Sequence, residues 1–134
     1  MKKLIFPLVI ALCFFSCGEN NNNPITEKEY LVRYEATCTN PNLYQIQVVY
    51  AIGQVKSSTD TENIKTQITE SPFSFEVKMK TGMIASLNVS PICKLENDPN
   101  ENRNLTAKIY VNGKLTKEST SNIAVHISTP LIDD

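Results

Sequence analysis

From Glu29 onward, apolar and polar residues alternate with a period of two in short runs, and no stretch repeats apolar residues at helical spacing for three turns. The pattern predicts a nearly all-β chain. In Tyr30 to Thr39, residues Tyr30, Val32, Tyr34, Ala36 and Cys38 share one face, against Leu31, Arg33, Glu35 and Thr37. After a turn at Asn40-Pro41-Asn42, the next run places Tyr44, Ile46, Val48 and Tyr50 together. The polar stretch Gly53 to Asn63 reads as loop, and Ile64, Thr66 and Ile68 then line one side of a third run. Phe73, Phe75, Val77 and Met79 alternate with Ser74, Glu76, Lys78 and Lys80, the clearest half-buried signature in the chain. Past Thr81-Gly82, residues Ala85, Leu87, Val89 and Cys93 face one way, with Pro91 marking a bulge or an edge.

Glu96 to Asn104 is a second turn-rich polar loop, followed by Leu105, Ala107, Ile109 and Val111. Asn112-Gly113 supplies the two residues of positive φ that a type I′ hairpin needs. A plain two-residue loop would set Ile109 opposite Thr116 and Lys108 opposite Lys117, a like-charge pair for a solvated face. A last run alternates Ile123, Val125 and Ile127 with Ala124, His126 and Ser128. Seven or eight strands in roughly 100 residues predict a single two-sheet β-sandwich over 29–129, with 130–134 as a tail.

The N-terminus has a different pattern. Met1-Lys2-Lys3 leads into the apolar stretch Leu4 to Phe15 and then Ser16-Cys17-Gly18, the order of a secretory signal. At about 20 residues for a membrane-spanning helix, this stretch is too short for a permanent anchor. Phe14-Phe15-Ser16-Cys17 resembles the lipobox of bacterial lipoproteins, matching it at the small residue and the cysteine and departing at the two phenylalanines. The resemblance implies cleavage after residue 16, acyl chains such as palmitate on Cys17, and attachment to the cell envelope. Gly18 after the cysteine resembles the outer-membrane class, with the leaflet left open. The alternative is an ordinary signal peptide cleaved nearby. Residues 17–28, with Asn20 to Asn23 among them, read as a polar tether that has too little apolar area to fold.

Removing residues 1–16 leaves 118 residues with eleven Lys and Arg against fourteen Asp and Glu, a net charge of −3. Nucleic-acid binding needs clustered basic residues, and none is present. Of the four cysteines, Cys13 leaves with the signal and Cys17 takes the lipid, so Cys38 and Cys93 remain. Both lie on inward phases of an exported chain, which predicts a disulfide. Closing a loop of about 55 residues would contribute on the order of 4 kcal/mol.

Catalysis needs a nucleophile, a base and an orienting group, and this chain has one His and no Trp. His126 falls on the polar phase of its strand without an evident partner, so no enzyme, resident metal or cofactor is expected. Asp60 with Glu62, and Glu96 with Asp98 and Glu101, could clasp Ca²⁺ through loop oxygens, but the alternating Asp/Asn spacing of known calcium loops is missing. These acids read as solvated connectors or as contacts to an unidentified protein or small-molecule partner, polar or cationic in character. Tyr30, Tyr34, Tyr44 and Tyr50 are expected in the core with hydroxyls at its rim, and Tyr110 faces outward.

Several segments resemble the MmpS-like β-sandwich domain: Tyr34-Glu-Ala-Thr, Gln47-Val-Val-Tyr50, Phe73-Ser-Phe-Glu-Val-Lys, Ala85-Ser-Leu-Asn-Val, Ala107-Lys-Ile-Tyr-Val-Asn-Gly-Lys-Leu115 and Lys117-Glu-Ser-Thr. The resemblance spans about residues 29–128. It implies an immunoglobulin-like extracytoplasmic domain without enzymatic motifs, some members of which act beside resistance-nodulation-division type exporters. Two functions follow as expectations: a non-enzymatic, lipid-anchored envelope lipoprotein serving as a binding or accessory module, or a periplasmic adaptor of such an exporter. Many of those domains lack the Cys38/Cys93 pair, and the exporter-associated ones carry a transmembrane helix in place of a lipid.

Overall fold

The computed structural model describes residues 27–99 and 103–133. The signal peptide, Cys17, most of the tether and Glu101 lie outside the described residues. Eight strands form: β1 (Glu29–Cys38), β2 (Tyr44–Ala51), β3 (Ile64–Thr69), β4 (Phe73–Lys80), β5 (Ile84–Cys93), β6 (Leu105–Val111), β7 (Lys114–Ser121) and β8 (Val125–Pro130). They build two four-stranded antiparallel sheets, β4-β1-β6-β7 and β3-β2-β5-β8, packed face to face as a sandwich.

Pairing of β1 with β4, and the order β3-β2-β5-β8, reproduce the B–E pair and the C′-C-F-G sheet of an immunoglobulin sandwich. The departure is the β6–β7 hairpin. It comes between β5 and β8 in sequence yet takes the edge beside β1, where an immunoglobulin domain has its first strand.

Period-two alternation puts Val32, Tyr34, Ile46, Val48, Leu87, Val89 and Ile109 wholly inside. Burying each aliphatic side chain is worth roughly 1.5–3 kcal/mol against chain entropy. At the edge strand β4, Phe73 and Met79 are buried while Phe75 and Val77 are only half covered, because one side of that strand has no neighbour.

The tyrosines divide into two kinds. Tyr34 departs from the rim expectation: its hydroxyl is wholly buried and donates across the core to the Ala51 carbonyl at 2.7 Å. Burial pushes its phenol well above the ordinary value, so it stays a neutral donor. Its ring meets Tyr50, which in turn meets Phe73 and Phe75 at centroid distances of 5.4 and 4.9 Å. The other three hydroxyls do reach the rim. Tyr30 donates to Asp133, Tyr44 to Asp98 and Tyr50 to Gln67.

Three local expectations are corrected. The hairpin turn has Asn112 at φ 51° and Gly113 at φ 81°, as a type I′ turn requires, but a bulge between Ile109 and Tyr110 shifts the register. Lys108 therefore opposes Glu118, with Nζ and Oε1 3.5 Å apart, and the Lys108/Lys117 repulsion is relieved. Ile123 precedes β8 and is 71% exposed, while Val125 and Ile127 are buried as expected. Residues 130–134 are more than a tail: Leu131 is buried, held by Gly82 N–H to Leu131 O and Leu131 N–H to Met83 O.

The expected disulfide is absent, and Cys38 and Cys93 are free thiols. Each side chain turns toward the core, but Cys38 ends β1 in one sheet and Cys93 ends β5 in the other. Facing sheets can be bridged where two inward cysteines oppose each other, as in the B–F disulfide of immunoglobulin domains, but here Cys38 lies beside Leu105 of β6 and Cys93 beside Tyr44 of β2, and the two thiols are not joined. Inward phase alone does not bring two strands within bonding reach.

Tyr34→Phe should cost about 1–3 kcal/mol, because it strands a buried carbonyl. Urea denaturation should show a lower midpoint at unchanged slope, and an unchanged midpoint would refute the role of the Tyr34–Ala51 bond. Alkylation after unfolding without reductant should modify both Cys38 and Cys93; protection of the pair would contradict the free-thiol geometry.

Candidate functional site

On the outer face of the β3-β2-β5-β8 sheet, strand register sets chemistry side by side that lies far apart in sequence. Asn88 pairs with His126 and Ser86 with Ser128 across β5 and β8, while Val49 on β2 sits opposite Asn88. Successive outward positions form a polar floor of two serines, an asparagine and a histidine. Aliphatic walls rise beside it: Ile64 from β3, Ile84 from β5, Met83 from the β4–β5 turn and Val55 from the β2–β3 loop. Together they enclose a groove of about 520 Å³, within the usual range of ligand sites, about 300–1,000 Å³.

The apolar phase of β3 is turned outward. Ile68 is 56% exposed, as is Ile84, and Val55 is 40% exposed. No core contact accounts for these side chains.

His126 has a partner that its strand phase did not reveal. Its Nδ1 lies 2.6 Å from Asn88 Oδ1, and because an amide oxygen only accepts, Nδ1 is the donor and Nε2 is left to face the groove. No hydrogen bond joins His126 to Ser86 or Ser128 among the described residues, and these side chains present donors and acceptors to the groove.

The β2–β3 loop that carries Val55 and Gln54 to the groove is built around Asp60. Its carboxylate accepts the backbone N–H groups of Lys56, Glu62 and Asn63 at 3.1 Å, and the Asn63 side-chain amide as well. Ile52 N–H to Asn63 O and Ile64 N–H to Asp60 O close the loop's base. A Cβ on Gly53 would stand 2.3 Å from Asn63 Oδ1, so a larger residue there would have to displace the Asn63 side chain that also donates to Asp60. The amide donors, Lys56 N–H foremost, hold the Asp60 carboxyl down from 3.8 to about 2.

Structure thus redistributes the acidic loop residues. Asp60 is consumed inside its own loop, while Glu62 beside it is exposed. Asp98 accepts the Tyr44 hydroxyl at 2.5 Å and pairs with Arg103, whose guanidinium lies over the Tyr44 ring and donates to Asn122 O. This cluster pins the second loop to the sandwich. Glu96 is exposed, and no group of three His, Cys, Asp or Glu side chains converges among the described residues. Tyr110 does face outward, but the Arg33 guanidinium covers it at 4.1 Å.

The groove was missed in the sequence because each strand was read for its inward phase. The available signal was the set of outward aliphatics Ile64, Ile68 and Ile84, unusual on otherwise polar phases. No protein-family model matches the chain, and no curated protein matches it.

The Asp60 carboxyl titrates lower folded than unfolded, so its contribution to loop order is complete above about pH 4 and is lost as pH falls toward 2. Protection of the Lys56, Glu62 and Asn63 amides, taken relative to their intrinsic exchange rates at each pH, should fall through that window and should already be lost at neutral pH in Asp60→Ala. Protection that is insensitive to both would exclude Asp60 as the loop's organiser.

Proposed function

We propose that the protein is a non-catalytic binding module of the bacterial envelope, tethered by acyl chains on Cys17, and that it recognises its ligand in the groove over β2, β5 and β8. The groove carries this reading: a ligand-sized concavity with convergent hydrogen-bonding groups and exposed aliphatic walls, on the outer face of a sheet whose inner face forms the core. The anchor is supported by the Lys2-Lys3, apolar, Ser16-Cys17 order. With the acyl group at residue 17 and the first strand at Glu29, the sandwich stands off the bilayer on a short polar segment.

Two measurements test the two halves. Cys17→Ser should shift the protein from the membrane to the soluble fraction and remove the acyl mass; retention on membranes in high salt would refute the anchor. For binding, the core among the described residues runs from Tyr30 to Leu131, so a chain starting at Gly18 keeps it whole. Immobilised and exposed to envelope extract, it should retain small molecules that Ile84→Arg loses, since the charge enters the groove wall. An identical retained set from both proteins would rule the groove out as the binding surface.

A further inference from the structure

The sandwich's two outer faces differ in charge. On the β4-β1-β6-β7 sheet, Arg33 pairs with Glu35, Lys108 with Glu118 and Lys78 with Glu29, giving a solvated ladder of both signs. The groove on the other face contains no Asp, Glu, Lys or Arg among its lining residues. An ion entering it would shed water without finding a counter-charge, a cost that uncharged groups avoid when hydrogen-bonded.

Its neutral chemistry is also divided in space. Hydroxyls of Ser86 and Ser128, the Asn88 amide and His126 Nε2 follow the β5 and β8 side. Ile64, Val55 and Ile84 supply the aliphatic surface. A ligand that satisfies both must be polar along one side, apolar along the other and uncharged throughout.

Resting on the groove as the recognition surface, we propose that it takes an uncharged amphiphile, hydroxylated or amidic at one end and aliphatic at the other. The polar end lies over Ser86, Ser128 and the Asn88–His126 pair, and the aliphatic end lies against Ile64, Val55 and Ile84. Ser86 and Ser128 can both donate to and accept from hydroxyls, which suits a polyhydroxylated head.

The test is titration of the ¹⁵N-labelled Gly18-start chain with n-octyl glucoside below its micelle concentration, beside octanoate, octylammonium and glucose. Octyl glucoside should shift the amides of Val49, Ser86, Asn88 and Ser128 saturably, with both charged octyl probes and glucose at least tenfold weaker. Ser86→Asp should weaken octyl glucoside tenfold or more, while the isosteric Ser86→Asn should weaken it less than threefold, isolating charge from bulk. If either charged probe binds the groove as tightly, the ligand class is wrong and the groove reading stands. If no probe moves groove amides, or the shifts gather instead around Leu115 and Ile132, both the class and the groove reading fall.

Discussion

Much of this structure hangs on one buried hydrogen bond, from the Tyr34 hydroxyl on β1 to the Ala51 carbonyl at the end of β2. It ties one sheet to the other through the core, where an unmet polar group would cost as much as several lost methyl contacts. The same phenol ring begins the aromatic chain through Tyr50 to Phe73 and Phe75. Ala51 is also where the chain leaves the sheet to form the Asp60 loop. A core contact therefore fixes the root of the segment that carries Gln54 and Val55 to the groove.

Charge is used differently at different places. Along the β4-β1-β6-β7 face, ion pairs are exposed and individually weak, so their service is solubility and the blunting of sheet edges. At the loops, carboxylates are spent inward: Asp60 gathers amides, Asp98 clamps Tyr44 and Arg103, and Asp133 holds Tyr30 and Lys28. Two of these clusters join a core tyrosine to a loop or terminal acid and a nearby cation, which anchors connections that have little apolar area of their own. The groove is the region from which charge is withheld.

Alternation located seven of the strands, because a half-buried sheet leaves a period-two record in Phe73, Phe75, Val77 and Met79 or in Tyr30 to Cys38, while β7 was implied only as the return strand of a hairpin. Asn112-Gly113 likewise announced its turn, since few residues tolerate positive φ. These are local facts, written within a few residues. What alternation could not carry was anything set by pairing. The bulge that pairs Lys108 with Glu118, the separation of Cys38 and Cys93 onto facing sheets, and the place of the β6–β7 hairpin beside β1 each depend on strands distant in the chain.

The candidate site falls wholly in this second category. Asn88 and His126 are 38 residues apart, and neither carries a local signal of the other. The sequence by itself determined that the chain folds as a β-sandwich and which faces of most of its strands turn inward. Only the tertiary structure decided which outward residues share a surface, because register and strand order are chosen by the packing of the whole core. That choice set the serines, Asn88 and His126 against an aliphatic wall.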